Sequence, residues 1–184
     1  MKKFSWIFAL ILALSMAFIF AGCGEEPSNP GVNDGTGPGV RYKFSSLVLP
    51  SGTPLNDAAL APFNLKVSGN ALITYADGVL TVDPDGNTDT YHALDVLNTA
   101  WSTFEPPFDI TFKGTAVDSG TLKLGQAGPS YGNIKVGTPM VGGDEFEITS
   151  TITKTNVDGM NGIRIQSNGT AAMKFELTEI LIVK

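Results

Sequence analysis

The sequence has little of what most catalytic and metal sites require. Its 184 residues include one cysteine, Cys23, and one histidine, His92. A single thiol cannot form a disulfide within the chain, and His92 alternates with Leu94 and Val96 as a packed strand residue would. The chain has no phosphate loop, dinucleotide fingerprint, zinc-ligand spacing or G-x-S-x-G elbow. Carboxylates are plentiful and a glycosidase needs only two, but no pair stands out, and we predict that the protein is not an enzyme.

The N-terminal segment has the pattern of an export signal. Two lysines precede an apolar run from Phe4 to Phe20, and the run closes on Ala21-Gly22-Cys23. A short apolar run that ends in small residues is typical of a cleaved signal rather than of a membrane-spanning helix. We therefore predict that residues 1–22 are a signal peptide.

The end of this signal resembles the lipobox of bacterial lipoproteins, although Phe20 stands where that box usually has Leu or Val. The resemblance implies that the Cys23 thiol carries diacylglycerol and that Cys23 becomes the first mature residue. The alternative is a free buried thiol. Because two or more acyl chains anchor a protein stably, we expect a lipid-anchored protein of the cell envelope, outside the cytoplasm. Gly24, in place of an Asp, favours the outer membrane or cell surface.

Basic residues are outnumbered by acidic ones. The chain has 12 Lys and Arg against 18 Asp and Glu, a formal net charge of −6, and removal of Lys2 and Lys3 with the signal brings it to −8. Nucleic acids and anionic lipid headgroups bind positively charged surfaces. The charge therefore predicts no nucleic-acid partner and no electrostatic attachment to headgroups.

The mature chain is predicted to be one domain on a tether. Residues 23–41 are rich in Gly and Pro and contain too few apolar residues to offset the entropy of ordering, so we interpret them as a flexible linker. Residues 42–184 are long enough to bury a core without disulfides. They show no internal repeat, and we expect a monomer.

The predicted domain alternates apolar and polar residues with a period of two, which is typical of half-buried strands. The clearest runs are Val79–Val82, Phe108–Phe112, Gly120–Leu124, Phe146–Ile152 and Ile163–Gln166. Turn dipeptides such as Asp77-Gly78 separate them, and only Asn56 to Leu60 is predicted to start a helix, ended by Pro62. A change of phase at Thr178-Glu179 predicts a bulge. The pattern indicates an all-β fold, an antiparallel two-sheet β-sandwich of eight or more strands.

Three stretches resemble carbohydrate-binding modules of the xylanase-associated, galactose-binding-like jelly-roll type, families four, nine and twenty-two. They are Tyr91–Leu97 with Trp101, Phe108–Gly114, and Gly162–Gln166 followed by Phe175–Ile180. The resemblance is diffuse and covers residues 42–184. It implies a jelly roll that binds a polysaccharide or oligosaccharide, either on one sheet or among its edge loops.

Aromatic rings that stack on the C–H face of a pyranose, with polar neighbours for its hydroxyls, would form such a site. The candidate residues are Tyr91, Trp101, Tyr131, Arg164 and Gln166. Trp101 lies in a polar stretch, which favours exposure, but it could equally plug the end of the sandwich. Arg164 and Gln166 alternate with apolar residues, so we expect them on an outward face, as sugar ligands or as ordinary solvated side chains.

An acidic stretch suggests a calcium site. Asp83, Asp85, Asn87 and Asp89 provide oxygen ligands at every second position. A tight turn made by Pro84, Asp85 and Gly86 explains the same residues without an ion, and Thr178-Glu179 replaces the Asp pair that such modules tend to carry on the last strand. A structural calcium is therefore one interpretation of this stretch, and a tight turn without a metal is the other.

We thus expect a lipoprotein that binds plant-type polysaccharide, such as xylan or β-glucan, without catalysis. The alternative is a structural or adhesive envelope lipoprotein whose sandwich binds another protein. A glycan site would show aromatic rings on a polar groove, whereas a protein-binding site would show a contiguous apolar patch.

Overall fold

The computed structural model describes residues 39–84, 93–103, 105–169 and 172–184. Within these ranges the chain forms eleven strands and two short helices, and no helix has the length and apolar character needed to cross a bilayer. The strands are β1 (Gly39–Lys43), β2 (Leu65–Ser68), β3 (Leu72–Ala76), β4 (Val79–Asp83), β5 (Ala93–Leu97), β6 (Phe108–Ala116), β7 (Gly120–Ala127), β8 (Asn133–Met140), β9 (Glu145–Ile152), β10 (Gly162–Ser167) and β11 (Phe175–Val183). The helices are α1 (Asp57–Leu60) and α2 (Lys154–Val157).

The strands form two antiparallel sheets. The first sheet has the order β3-β4-β11-β6-β9, with β1 also paired to β11, and the second sheet has the order β2-β5-β10-β7-β8. Every predicted alternating run lies in one of these strands. The prediction of an antiparallel β-sandwich with jelly-roll character is confirmed.

The core lies between the two sheets. The first sheet contributes Ile110 and Phe112, the second contributes Leu94 and Ile165, and all four side chains are inaccessible to solvent. A fully buried side chain of this size stabilises a fold by about 1.5–3 kcal/mol. Burial of this kind, without disulfides, supports the domain.

The first strand begins earlier than the sequence predicts. Gly39, Val40 and Arg41 were assigned to the linker, but they pair with the end of β11. Gly39 lies against the backbone of Ile182, where a Cβ atom would collide. The folded domain therefore starts at Gly39 rather than at Tyr42.

Two side chains of the first strand fasten it to the rest of the domain. Arg41 Nη2 donates to Glu179 Oε2 at 3.1 Å, which joins the first strand to the last. Tyr42 is 1% exposed, and its hydroxyl accepts a hydrogen bond from Asn64 Nδ2. Burial raises the pKa of Tyr42, and the bond from Asn64 lowers it by a smaller amount.

The last strand contains the predicted bulge. Its register against β6 shifts between Leu177 and Glu179, and Thr178 is exposed. Phe175 and Leu177 before the shift are buried, and so are Ile180 and Ile182 after it. The extra residue thus keeps both apolar sets on the core side of a nine-residue strand.

Short-range signals account for most of the local structure. The Asn56 side chain accepts from the Ala59 N–H and caps α1 as predicted. Asp77 and Gly78 have φ of 51° and 82° in the β3–β4 hairpin, the conformation that favours an Asp-Gly pair. The prediction of a single helix is wrong, because α2 also forms behind a capping box between Thr153 and Asn156.

Candidate functional site

The outer face of the second sheet carries a row of polar side chains. In the paired register Lys66 lies opposite Asp95, Asp95 opposite Arg164, and Arg164 opposite Gly125. Directly opposed residues of antiparallel strands point to the same side of a sheet. Because Val96 enters the core, its neighbour Asp95 and the rest of this row point away from the core.

Arg164 and Asp95 form a buried, two-point ion pair. Arg164 Nε donates to Asp95 Oδ1 at 2.6 Å, and Nη2 donates to Oδ2 at 2.9 Å. The two side chains are only 7% and 9% exposed. Parallel hydrogen bonds of this kind hold the guanidinium and the carboxylate in one plane. The pair therefore presents a fixed cation on the outer face.

The predicted exposure of β10 is only partly right. Arg164 and Gln166 do alternate with the core residues Ile163 and Ile165, but each is only 6% exposed. β10 is the central strand of its sheet, so neighbouring strands flank it on both sides, and Tyr131 covers Arg164. Gln166 lies between Ala93 and Lys123 in register and is not a freely solvated side chain.

Tyr131 is the exposed aromatic residue of this face. It lies in the connection between β7 and β8 and is 58% exposed. The Arg164 Cζ atom lies 5.4 Å from the centroid of its ring, which is cation–π distance. The ring thus lies against a fixed cation, while much of the residue's surface faces solvent.

The connection that carries Tyr131 is fastened at its base. The Gln126 and Gly132 backbones are joined by a 2.8 Å hydrogen bond, and the Gly132 N–H also donates to Gln126 Oε1. Gln126 Nε2 in turn donates to the Asn156 carbonyl of α2. The Asn161 N–H donates to the carbonyls of Ala127 and Gly128. These bonds hold the tyrosine beside the sheet.

An open depression of 510 Å³ lies in front of these residues. Its lining is mostly polar or backbone and comes from β2, β5, the following 3₁₀ turn, the β7–β8 connection and β10: Lys66, Val67, Ser68, Gly69, Asp95, Leu97, Asn98, Thr99, Ala127, Gly128, Tyr131, Asn161 and Arg164. We call this surface the Tyr131 face. An exposed ring beside hydrogen-bonding groups suits a polar ligand that presents a flat C–H face to the ring.

Trp101 does not belong to the Tyr131 face. It is 5% exposed and packs against Phe108, with ring centroids 5.2 Å apart. Of the two alternatives predicted for Trp101, exposure is wrong, and the ring is instead buried. The 3₁₀ turn at Asn98–Trp101 directs its two polar residues outward and buries Ala100 and Trp101, so a polar sequence context did not indicate exposure.

Several predicted residues lie outside the described part of the chain. Tyr91, His92, Asp85, Asn87 and Asp89 are among them, as is Cys23. Of the candidate calcium ligands only Asp83 is described, and its carboxylate lies 3.0 Å from Lys174 Nζ. Within the described ranges, no three His, Cys, Asp or Glu side chains are grouped as metal ligands.

Two charged residues of the Tyr131 face, Asp95 and Lys66, were not predicted as site residues. Asp95 is the polar member of the buried run Leu94-Asp95-Val96, and a carboxylate in such a strand needs a partner. That signal was available in the sequence, but the identity of the partner was not. Lys66 had no comparable signal, because its role depends on the pairing of β2 with β5.

Solved structures of carbohydrate-binding modules share this fold. The chain matches no known protein-family profile, and no curated protein has a similar sequence. A variant of the family 29 module CBM29-2 has 8% identity and a TM-score of 0.50, over 78% of this chain and 91% of the module. The family 29 module CBM29_1 from Piromyces equi has 15% identity and a TM-score of 0.49, over 79% and 91%. A CBM4 module has 17% identity and a TM-score of 0.47, over 70% and 99%. The likeness to the CBM29-2 variant, at a TM-score of 0.50 and 8% identity, concerns the fold alone.

Proposed function

We propose that this protein is a non-catalytic glycan-binding lipoprotein whose binding site is the Tyr131 face. One observation carries the proposal: a largely exposed tyrosine ring lies over a buried Arg164–Asp95 pair at the edge of an open polar depression. Burial of the Arg164–Asp95 pair costs the hydration free energy of both charged groups. We would not expect that cost beneath an exposed ring on a surface that binds no ligand.

The chemistry of the Tyr131 face fits a sugar ring. A tyrosine has few rotatable bonds, so stacking it on the C–H face of a pyranose costs little conformational entropy. Asn98, Thr99 and Asn161 line the same depression and carry donors and acceptors for hydroxyl groups. The depression is open, which would allow a chain of sugars to pass across it.

The fold supports the same proposal without deciding it. A solved structure with this fold is named as a carbohydrate-binding module, and that name assigns no ligand to this chain. We propose a plant-type polysaccharide such as xylan or β-glucan as the ligand.

We further propose that Cys23 carries the lipid and that the linker holds the domain away from the envelope surface. A flexible coil of this length spans roughly 20–25 Å on average. Growth with labelled palmitate tests the anchor: the wild-type protein should incorporate label, and Cys23→Ser should not. Label in the Cys23→Ser protein would contradict lipidation at this residue.

Affinity electrophoresis tests the glycan site. The chain without its signal, with Cys23→Ser to prevent lipidation, would run through gels that contain xylan, mixed-linkage glucan, mannan or no glycan. We expect one glycan to retard the protein, Tyr131→Ala to remove the retardation, and Tyr131→Phe to keep most of it because the ring remains. Val141→Ala, which truncates a 60% exposed apolar side chain at another site, is the matched control.

The outcomes separate the proposals. Equal mobility of the folded protein in every gel would contradict glycan binding and favour the alternative of an envelope protein that binds another protein. Retardation that survives Tyr131→Ala would place the glycan site elsewhere on the sandwich.

A further inference from the structure

The Tyr131 face is positively charged although the chain is acidic. Two cations line its depression, Lys66 and Arg164, and Asp95 is the one acidic side chain among the lining residues. The local formal charge is therefore positive, whereas the whole chain carries −6. A ligand of neutral sugars needs no such excess, since hydroxyl groups are bound equally well by neutral amides.

Asp95 is already neutralised by its own partner. Both of its carboxylate oxygens accept hydrogen bonds from Arg164. Lys66 lies opposite Asp95 in register, yet it forms no ion pair with Asp95 or with any other carboxylate of the described residues. Lys66 is also exposed. Its ammonium group is thus the charge of the depression that no carboxylate of the described residues neutralises.

Arg164 has donor capacity left beyond its two bonds to Asp95. Its Nε and Nη2 atoms face Asp95, and its Nη1 atom makes no hydrogen bond within the described ranges. Asp95 holds the guanidinium in place, so a ligand that accepts from Nη1 would not have to order the side chain. A carboxylate is the oxygen acceptor that a guanidinium and an ammonium bind most strongly.

Other depressions on the sandwich have the opposite charge. The one between β8 and β9 is lined by Lys135 together with Asp144, Glu145 and Glu147. The one on the outer face of the first sheet is lined by Lys113 together with Glu145 and Glu147. These two depressions therefore do not share the positive charge of the Tyr131 face.

We infer that the glycan bound at the Tyr131 face carries carboxylate groups, as in a polysaccharide with uronic acid residues. The inference rests on the proposed function. In this arrangement the ring of Tyr131 stacks on a sugar, while the ammonium of Lys66 and Nη1 of Arg164 bind the carboxylate. Lys66 then determines specificity for acidic over neutral glycans.

Calorimetric titration of the unlipidated chain tests this inference. The ligands are oligogalacturonides and glucuronic-acid-substituted xylo-oligosaccharides, each beside the same oligosaccharide with its carboxyl groups reduced to primary alcohols, and neutral xylo- and cello-oligosaccharides. We expect an acidic ligand to bind about fivefold more tightly than its reduced form, the effect of one partly exposed charge pair. The preference should shrink as salt is added.

Variants assign the preference to a residue. Lys66→Gln should remove most of the preference for the acidic ligand over its reduced form, because only Nη1 of Arg164 is then left to bind the carboxylate. Lys43→Gln removes an exposed lysine of β1 in the first sheet and should keep the preference, so it controls for the total charge of the chain.

The outcomes distinguish this inference from the proposed function. Equal binding of acidic and reduced ligands, with both lost in Tyr131→Ala, would overturn the acidic preference and leave glycan binding intact. Binding of neutral oligosaccharides alone would do the same. Absence of binding to every ligand by the folded protein would overturn the proposed function and this inference together.

Discussion

Replacing Asp95 with Asn should destabilise the domain by far more than the loss of one charge at an exposed surface site would. The substitution leaves the Arg164 guanidinium without its charged partner. The Arg164 side chain is only 7% exposed, so water compensates poorly for the lost carboxylate. Removing one member of a buried ion pair typically costs about 3–5 kcal/mol. Arg164 borders an open depression, which lets water reach its free end, so we expect about 3 kcal/mol.

Urea unfolding of the unlipidated chain, followed by circular dichroism, would measure this change. In thermal unfolding of the same chain, a loss of about 3 kcal/mol would appear as a fall in melting temperature of about 6–12 °C for a domain of this size. The matched control is Glu147→Gln, which breaks the exposed ion pair with Lys113, whose side chain is 37% exposed. Exposed pairs contribute about 0–1 kcal/mol, so the control should change stability little.

A double variant separates the ion pair from other effects of the substitution. Asp95→Leu combined with Arg164→Met removes both charges and should be less destabilised than Asp95→Leu alone, because no uncompensated charge remains. If Asp95→Asn costs less than about 1 kcal/mol, the cost expected for Glu147→Gln, or if the double variant shows no recovery, the reasoning about this pair is wrong.

Three further predictions concern stability. Trp101→Ala should cost about 3–5 kcal/mol in urea unfolding, since a buried ring is lost, and the protein that remains folded should still bind glycan. The free energy of unfolding should fall as the pH rises above about 10, because the pKa of the buried Tyr42 is raised and the unfolded chain releases this proton first. Below about pH 10 the stabilisation by the protonated tyrosine is fully present. Tyr42→Phe should therefore lessen the difference between the free energies of unfolding measured at pH 8 and pH 11. Gly114→Ala should cost more than about 3 kcal/mol or prevent folding, since the added Cβ would collide with the Glu176 carbonyl. The control is Gly125→Ala, whose Cβ would lie 3.3 Å from the Gly132 carbonyl; thermal melting of both variants should show the smaller loss for this control.

The fold could be predicted because its signals are local and repeated. Alternation of apolar and polar residues predicted β4, β6, β7, β9 and β10, and the change of phase at Thr178 located the bulge in β11. The Asp77-Gly78 pair located a hairpin, and Asn56 located a helix cap. None of these inferences depends on which strands pair with each other.

The site was harder to predict, because it depends on pairing. Arg164 was expected in solvent, but Asp95 meets it only because β10 pairs with β5. Tyr131 was expected on an exposed loop, and 58% of it is exposed, although its contact with Arg164 could not be derived. Trp101 is buried because a 3₁₀ turn follows β5, and no period-two pattern describes such a turn.

The central claim is that the Tyr131 face binds a glycan, and an NMR titration of the unlipidated chain tests it most directly. The amide signals of the protein would be recorded while the tightest-binding oligosaccharide is added. The account predicts shifts centred on Lys66, Asp95, Tyr131 and Arg164, with little change in the β8–β9 depression at residues 135–148. Shifts centred on residues 135–148, or no shifts with any oligosaccharide, would contradict it.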